Sequence, residues 1–226
     1  MGNRIEYKRN GQPVGAHLAT PPGPGPFPAV IVIQEWWGLD DHIKDVAERY
    51  AREGYVSLAP DLYHGNVTKD PNEAGKLMGA LKREEAVKDL LGAVAHLKAM
   101  KEVRADRIGV TGFCMGGSYA LLLPCRTKDI RAAAPYYGEI PDEATLRNLA
   151  APILYIYGDA DFWITKDEVG RLEATLKKLN KPGDVTIYPG APHAFFNDTR
   201  KDVYRQTEAQ DAWRRTLDLF AKHLKG

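Results

Sequence analysis

The sequence of 226 residues has few cysteines and no long apolar run. Its longest apolar runs reach roughly five to six residues, against the ~20 that a membrane-spanning helix needs. The two cysteines, Cys114 and Cys125, form neither a C-x-x-C motif nor a disulfide framework. Lysine and arginine together number 31 and the acidic residues 30, so no large excess of charge attracts nucleic acid or a lipid surface. We therefore expect no nucleic-acid partner and no membrane association.

Signals for secretion and for cofactor binding are also lacking. The N-terminal residues contain no apolar stretch typical of a signal peptide, so we expect a cytoplasmic protein, where a reducing environment suits a free thiol. The stretch Thr111–Gly117 resembles the glycine loop of short-chain dehydrogenases, but none of the 11 tyrosines begins the Tyr-x-x-x-Lys pair of those enzymes. The general dinucleotide motif G-x-G-x-x-G fails because Cys114 occupies its second glycine position. We expect neither a cofactor nor a metal.

The order of elements predicts one α/β domain over residues 1–226. Asn10-Gly11 separates two alternating segments, which is typical of an antiparallel hairpin, and Ala29–Ile33 is a continuous β-branched run typical of a strand buried on both faces. Strands then alternate with helices, which favours a mostly parallel central sheet with helices on both faces. Helices are predicted over 41–53, over 72–100 with a break at Lys82–Glu85, over 166–180 and over 200–224.

One stretch carries the strongest chemical signal, a strand that ends at Gly112 and a helix that begins at Met115. Cys114 lies between them in the order G-x-C-x-G-G, which is the nucleophile-elbow pattern with cysteine in place of serine. Glycines allow the backbone to double back, and the positive end of the following helix predicts that the thiolate is favoured over the thiol. The alternative is that Cys114 is only a small buried apolar residue.

Partners for such a nucleophile follow two later strands. Asp159 and Asp161 come after the strand at 153–157, and His193 comes after the strand at 185–188. An α/β-hydrolase carries its nucleophile, acid and histidine in this order along the chain. Asp161 is favoured over Asp159 because its longer reach carries the carboxylate past the turn. The alternatives are ordinary turn aspartates and a neutral loop histidine, which is how we interpret the other five histidines: His17, His42, His64, His96 and His223.

The chain resembles the dienelactone hydrolase family over essentially its whole length. The matching segments are Gln34–Leu39, Ala59–Tyr63, Gly112–Gly117, Tyr157–Asp161 and His193–Asp198. The resemblance implies a Cys114/Asp161/His193 triad that hydrolyses carboxylic esters or lactones through a thioester. It also implies that Glu35 meets the nucleophile and helps to release its proton, and that the backbone N–H groups of Trp36 and Met115 form the oxyanion hole.

Substrate recognition departs from the family pattern. The family holds a substrate carboxylate with arginines, one of them four residues after the histidine, where this chain has Asn197. Arg83 and Arg200 lie at unmatched positions. We therefore expect neutral short-chain esters to be hydrolysed with higher kcat/KM than lactones or esters bearing a free carboxylate. The residues expected to contact the substrate are Trp37, Tyr136, Phe195 and Asn197. Monomer and homodimer stay equally open, and the alternative to an enzyme is a binding module or a cysteine-based redox sensor.

Overall fold

The structure, a computed structural model, describes residues 2–226. Its centre is an eight-stranded sheet in the order β1-β2-β4-β3-β5-β6-β7-β8. The strands are β1 (Asn3–Arg9), β2 (Gln12–Ala19), β3 (Phe27–Ile33), β4 (Val56–Pro60), β5 (Val103–Phe113), β6 (Ile130–Tyr136), β7 (Ile153–Gly158) and β8 (Gly183–Tyr188).

The sheet is antiparallel at its N-terminal edge and parallel elsewhere. β1 pairs antiparallel with β2, and β2 pairs antiparallel with β4, whereas every pairing from β4 through β3 to β8 is parallel. Asn10 and Gly11 both have positive φ, 49° and 84°, which is the geometry of a type I′ hairpin turn. The predicted mostly parallel sheet with an N-terminal antiparallel hairpin is confirmed.

The helices cover both faces of this sheet. Neighbouring residues of a strand point to opposite faces, and Val30 and Ile31 of β3 are both fully buried. The helices are α1 (Asp41–Arg52), α2 (Pro71–Ala80), α3 (Arg83–Ala99), α4 (Met115–Leu122), α5 (Glu143–Leu146), α6 (Lys166–Lys178) and α7 (Gln206–Phe220). A 3₁₀ turn, Leu123–Cys125, follows α4, and a π-helical turn, Ala221–Lys225, follows α7.

Two predicted helices differ from those in the structure. The break in the second helix lies at Leu81 and Lys82, whose backbones are extended, and Glu84 and Glu85 lie in the first turn of α3, where their charge favours the positive helix end. The last helix begins at Gln206 rather than near residue 200. Residues 200–205 form turns instead, and the Arg205 N–H bonds back to the Phe195 carbonyl. That contact ties the last helix to the loop that follows β8.

The carboxyl ends of the parallel strands lie at one edge of the sheet. Ligand sites of open α/β sheets form at this edge, because loops from several strands meet there. The residues that follow β3, β5, β7 and β8 include Glu35, Cys114, Asp161 and His193. The fold thus brings the four predicted catalytic side chains to the same edge.

Candidate active site

The elbow between β5 and α4 holds Cys114 in a strained backbone. Cys114 has φ 55° and ψ −121°, a conformation that residues with a side chain rarely adopt. The turn closes because its flanking glycines have no side chains. A Cβ on Gly112 would lie 2.2 Å from the Gly116 carbonyl oxygen, and one on Gly116 would lie 2.3 Å from the Ile33 carbonyl oxygen. The glycines predicted to permit the elbow are therefore required by close backbone contacts.

Asp161 and His193 form a buried acid–imidazole pair. His193 Nδ1 lies 2.7 Å from Asp161 Oδ2, and the two side chains are 7% and 0% exposed. Asp161 Oδ1 accepts the backbone N–H groups of Trp163 at 2.7 Å and Ile164 at 3.0 Å. These two bonds fix the carboxylate, which in turn fixes the plane and the protonated nitrogen of the imidazole.

The neighbouring carboxylate, Asp159, is turned away from His193. Its Oδ1 accepts the Gly190 N–H at 2.6 Å, and its Oδ2 pairs with Lys166 Nζ at 3.0 Å. Asp159 thus closes a surface turn, while Asp161, which the sequence analysis favoured, lies against the histidine.

The Cys114 thiol is buried and is a neutral thiol at physiological pH. Burial raises the pKa of the Cys114 thiol and the Glu35 carboxylate raises it further, whereas the backbone N–H groups of Met115 and Trp36 oppose the rise by hydrogen bonding to the sulfur. The expectation of a resting thiolate was wrong, because loss of hydration outweighs the favourable end of α4. Within residues 2–226, no hydrogen bond joins the sulfur to His193, whose bond runs to Asp161.

Glu35 is buried and is held by Asn197. The Glu35 side chain is buried, and Asn197 Nδ2 donates to its Oε2 at 2.6 Å. Burial raises the pKa of Glu35, while His42 and the Asn197 hydrogen bond counteract that rise. Asn197 Oδ1 accepts from the Thr199 N–H and hydroxyl, and Asn197 is 1% exposed. The amide of Asn197 is thus engaged by Glu35 and by the Thr199 turn, and its predicted contact with substrate stays a prediction.

The other predicted substrate-binding residues divide between the core and the rim. Tyr136 is fully buried, with its hydroxyl 2.8 Å from the Thr216 hydroxyl on α7, and Phe195 is fully buried between Tyr137 and Tyr188. Both rings pack into the core, and their predicted contacts with substrate stay predictions. Trp37 is half-buried, and its ring packs edge-on against Trp36.

A cavity of about 540 Å³ adjoins the nucleophile on the side of α2, α3 and α4. Met115 lines it, and so does Trp163, whose ring lies edge-on to His193 with 5.4 Å between ring centroids. Arg83 and Glu139 also line it and pair across 3.4 Å. Sequence reasoning noted Arg83 only as an unmatched arginine, because nothing in its spacing relates α3 to the elbow. The other such arginine, Arg200, lies over the Trp37 ring at 6.0 Å.

The position of His42 differs from the one predicted from the sequence. It was interpreted as a neutral loop histidine, but it lies in the first turn of α1, buried, with Nδ1 3.4 Å from Asp198 Oδ1. Burial lowers the pKa of His42, yet Asp198, Glu35 and Asp40 together raise it above its ordinary value. These carboxylates therefore favour the protonated form of the buried ring.

Two further structural features concern possible ligands and membranes. Across residues 2–226, no group of three or more histidine, cysteine, aspartate or glutamate side chains is arranged to hold a metal ion. In the same part of the chain, no helix combines the length and the apolar character needed to cross a bilayer.

Comparisons with known proteins place this site in a family. The family model described as "Dienelactone hydrolase family" matches residues 14–224. Protein usf of Aquifex pyrophilus is 37% identical over 99% of this chain and 100% of its own length. The "Putative carboxymethylenebutenolidase" of Aquifex aeolicus is 35% identical over the whole of both chains. A crystal structure described as a "Putative Dienelactone Hydrolase" from Klebsiella pneumoniae has a TM-score of 0.92, with 30% identity over 99% of each chain.

The sheet order, the strand-end site and these matches agree with one another. The chain belongs to the dienelactone hydrolase family and is a hydrolase.

Proposed function

We propose that this protein hydrolyses carboxylic esters or lactones with Cys114 as the nucleophile, through a thioester acyl-enzyme. The observation that carries the proposal is the joint placement of a strained elbow cysteine and the Asp161–His193 pair at one sheet edge. Lactones are included because the Klebsiella neighbour is described as a dienelactone hydrolase. The family indicates the class of reaction, and we infer the individual steps of the mechanism from the side chains of this chain.

Activation of the nucleophile begins with Glu35. Its carboxylate faces a neutral thiol whose pKa is raised by burial, so a base must take the proton as the sulfur becomes a nucleophile. Glu35 accepts that proton, and the resulting thiolate is attracted to the protonated imidazole of His193. Asp161 stabilises this imidazolium, since its carboxylate lies 2.7 Å away and shares the burial.

Acylation and deacylation then follow with protons balanced. Cys114 Sγ attacks the carbonyl carbon of the substrate, and the carbonyl oxygen takes the electron pair of the C=O π bond. The N–H groups of Met115 and Trp36 bind this oxyanion, and each donor stabilises the transition state by about 3–4 kcal/mol. The C–O bond breaks, and His193 gives its proton to the alkoxide. Water attacks the thioester as His193 takes its proton, the C–S bond breaks, and Glu35 returns its proton to the sulfur. The products are the acid and the alcohol.

The cavity favours uncharged groups near the reacting carbonyl. Glu35 already brings negative charge there, and a second carboxylate beside it costs several kcal/mol of repulsion and lost hydration. The cation on this side, Arg83, is shared with Glu139. Neutral esters are therefore the preferred substrates, with Arg83 as the group that a distant substrate carboxylate meets.

A redox sensor is the competing function on the same fold. A thiol that senses oxidants needs thiolate character and access, whereas Cys114 is 7% exposed and its pKa is raised. An aligned acid–imidazole pair also has no task in a sensor. Steady-state hydrolysis of aryl acetates by wild type and Cys114→Ala decides between the two: hydrolysis abolished by the substitution supports the enzyme, and hydrolysis unchanged by it rejects this nucleophile.

A further inference from the structure

A second imidazole–carboxylate pair lies next to the turn that binds Glu35. His42 Nδ1 is 3.4 Å from Asp198 Oδ1, and Arg49 Nη2 pairs with the other oxygen of Asp198. The His42 ring is 3% exposed and packs near Phe113 and Phe196, each 6.4 Å between centroids. At 3.4 Å the His42–Asp198 contact is ionic, since neither ring nitrogen has a well-formed hydrogen bond to a described residue. Nothing in the steps above uses this buried charged pair.

The pair is joined to the active site through one short turn. Asn197, which donates to Glu35, immediately precedes Asp198, which holds His42. Glu35 is also linked to His42 along the chain, through the loop that runs from Glu35 to α1. The Asp40 side chain caps α1 by accepting the Ile43 N–H at 3.0 Å, and His42 lies in the first turn of that helix. Two segments far apart in sequence therefore meet at the turn Asn197–Asp198, which donates a hydrogen bond to Glu35 on one side and pairs with His42 on the other.

We propose that His42 is a positioning residue, whose positive charge, fixed by Asp198, keeps the buried Glu35 ionised and thus able to accept the Cys114 proton. The inference rests on the proposed function, because it needs Glu35 to act on the thiol. A cation within ~4–6 Å of a carboxylate favours its charged form. His42 supplies that cation from inside the protein, where salt screens it little.

The directions of the pKa shifts agree with this role. Burial raises the pKa of Glu35, and His42 opposes the rise more than any other neighbour. The close contact with His42, aided by Arg49, lowers the pKa of Asp198 far below its ordinary value, so Asp198 stays charged. The charged or titratable groups that face this cluster are Cys114 and His193 at the active site, Asp40 beside His42, and Asp45 beside Arg49.

The test compares pH profiles of kcat/KM for wild type, His42→Gln and Asp198→Asn, with an aryl acetate as substrate. Without the cation the pKa of Glu35 rises, so we expect the acid limb to move to higher pH by about one pH unit. Asp198→Asn is expected to act in the same direction, since His42 then loses its proton more easily. Both variants should approach wild-type kcat/KM at high pH, where Glu35 is ionised in either case.

A merely structural role predicts a different pattern. It lowers kcat/KM equally at all pH values, and that result, or a His42→Gln profile that coincides with wild type, overturns the inference. His96→Gln is the matched control, since His96 is a half-buried histidine on α3 near Tyr7 and should keep the wild-type profile. Asp198→Asn carries the test if His42→Gln does not fold. Full activity of Cys114→Ala would instead reject the proposed function itself.

Discussion

Asn197 Nδ2 donates a 2.6 Å hydrogen bond to Glu35 Oε2, between two side chains that are almost fully buried. The position at which the family carries a substrate-binding arginine thus holds a residue that binds Glu35, the proposed base for Cys114. An arginine introduced there would meet Glu35 before it met a substrate. The cation that lines the cavity is Arg83, which pairs with Glu139, so the proposed site for a distant substrate carboxylate lies there.

Glu139→Gln should raise the relative activity toward acidic substrates. The substitution frees Arg83 from its 3.4 Å partner, so the ratio of kcat/KM for an ester with a distant carboxylate to that for its neutral analogue should rise about threefold. Arg83→Gln should lower the same ratio. Glu143→Gln, whose carboxylate pairs with Arg147 and Lys178 away from the cavity, should leave it unchanged. A wild-type preference for the acidic ester would contradict the expected neutral substrate class.

Asp161→Asn and Asp159→Asn form a matched pair with opposite outcomes. Asp161→Asn removes the charge that orients and stabilises the His193 imidazolium, so kcat should fall by about 10³–10⁴. Asp159→Asn should stay within a few-fold of wild type, because its contacts are Gly190 and Lys166 on the surface. Steady-state kinetics at neutral pH measures both, and similar losses in the two variants would refute the assignment of the acid.

The sequence predicted the sheet, the elbow turn and the position of Cys114, Asp161 and His193 after their strands, because each depends on local pattern. Gly112 and Gly116 are needed by contacts within the turn, and the strand ends follow from the alternation of elements. Contacts between distant segments were not predictable. Asn197 and Glu35 are 162 residues apart, and no spacing relates His42 to Asp198.

The type of a residue also does not give the direction of its side chain or the loss of its hydration. Tyr136 and Phe195 follow or end strands at the correct edge, as pocket residues do, yet their rings turn into the core. The resting thiolate was expected from the helix end alone, without the opposing effect of burial and of the Glu35 charge. A single sequence does not show how completely a side chain loses its hydration.

Glu35→Gln should separate the reactivity of the thiol from catalysis. The Glu35 carboxylate raises the pKa of Cys114, so its removal lowers that pKa and should accelerate alkylation of Cys114 by iodoacetamide, by about tenfold for each pH unit by which the pKa falls. Ester hydrolysis should fall at the same time, because the proton acceptor is lost. Cys125, whose pKa burial raises to about 11, is the internal control and should react at an unchanged rate. A parallel fall in both reactions would show that Glu35 does not repel the thiolate.

Asp211→Asn should destabilise the fold at neutral pH and not in strong acid. The Asp211 carboxylate accepts from Arg215 Nε at 2.6 Å and from the Tyr188 hydroxyl at 2.8 Å, and the Arg215 hydrogen bond is the main cause that lowers the pKa of Asp211 to about 2. Because its pKa is lowered in the folded state, the Asp211 carboxylate stabilises the fold fully above the unfolded-state pKa of ~3.9. This stabilisation is lost as the pH falls through about 2. Thermal melts at pH 7 and at low pH should show this difference.

The control for that substitution lies on the same helix. Asp218→Asn removes an exposed carboxylate that pairs with Arg214 at 3.1 Å, and it should change Tm little at either pH. Equal losses of Tm at neutral and low pH for Asp211→Asn would mean that its charge is not what stabilises the contact between β8 and α7.

The most direct test of the account is the identity of the acylated residue. Wild-type protein mixed with an aryl acetate, quenched in acid within the first turnover and digested should yield one acetylated peptide, carrying a hydroxylamine-sensitive thioester on Cys114. Cys114→Ala, treated in the same way, should yield no acetylated peptide and no turnover. An acetyl group on another residue, or hydrolysis by Cys114→Ala at the wild-type rate, would contradict the account.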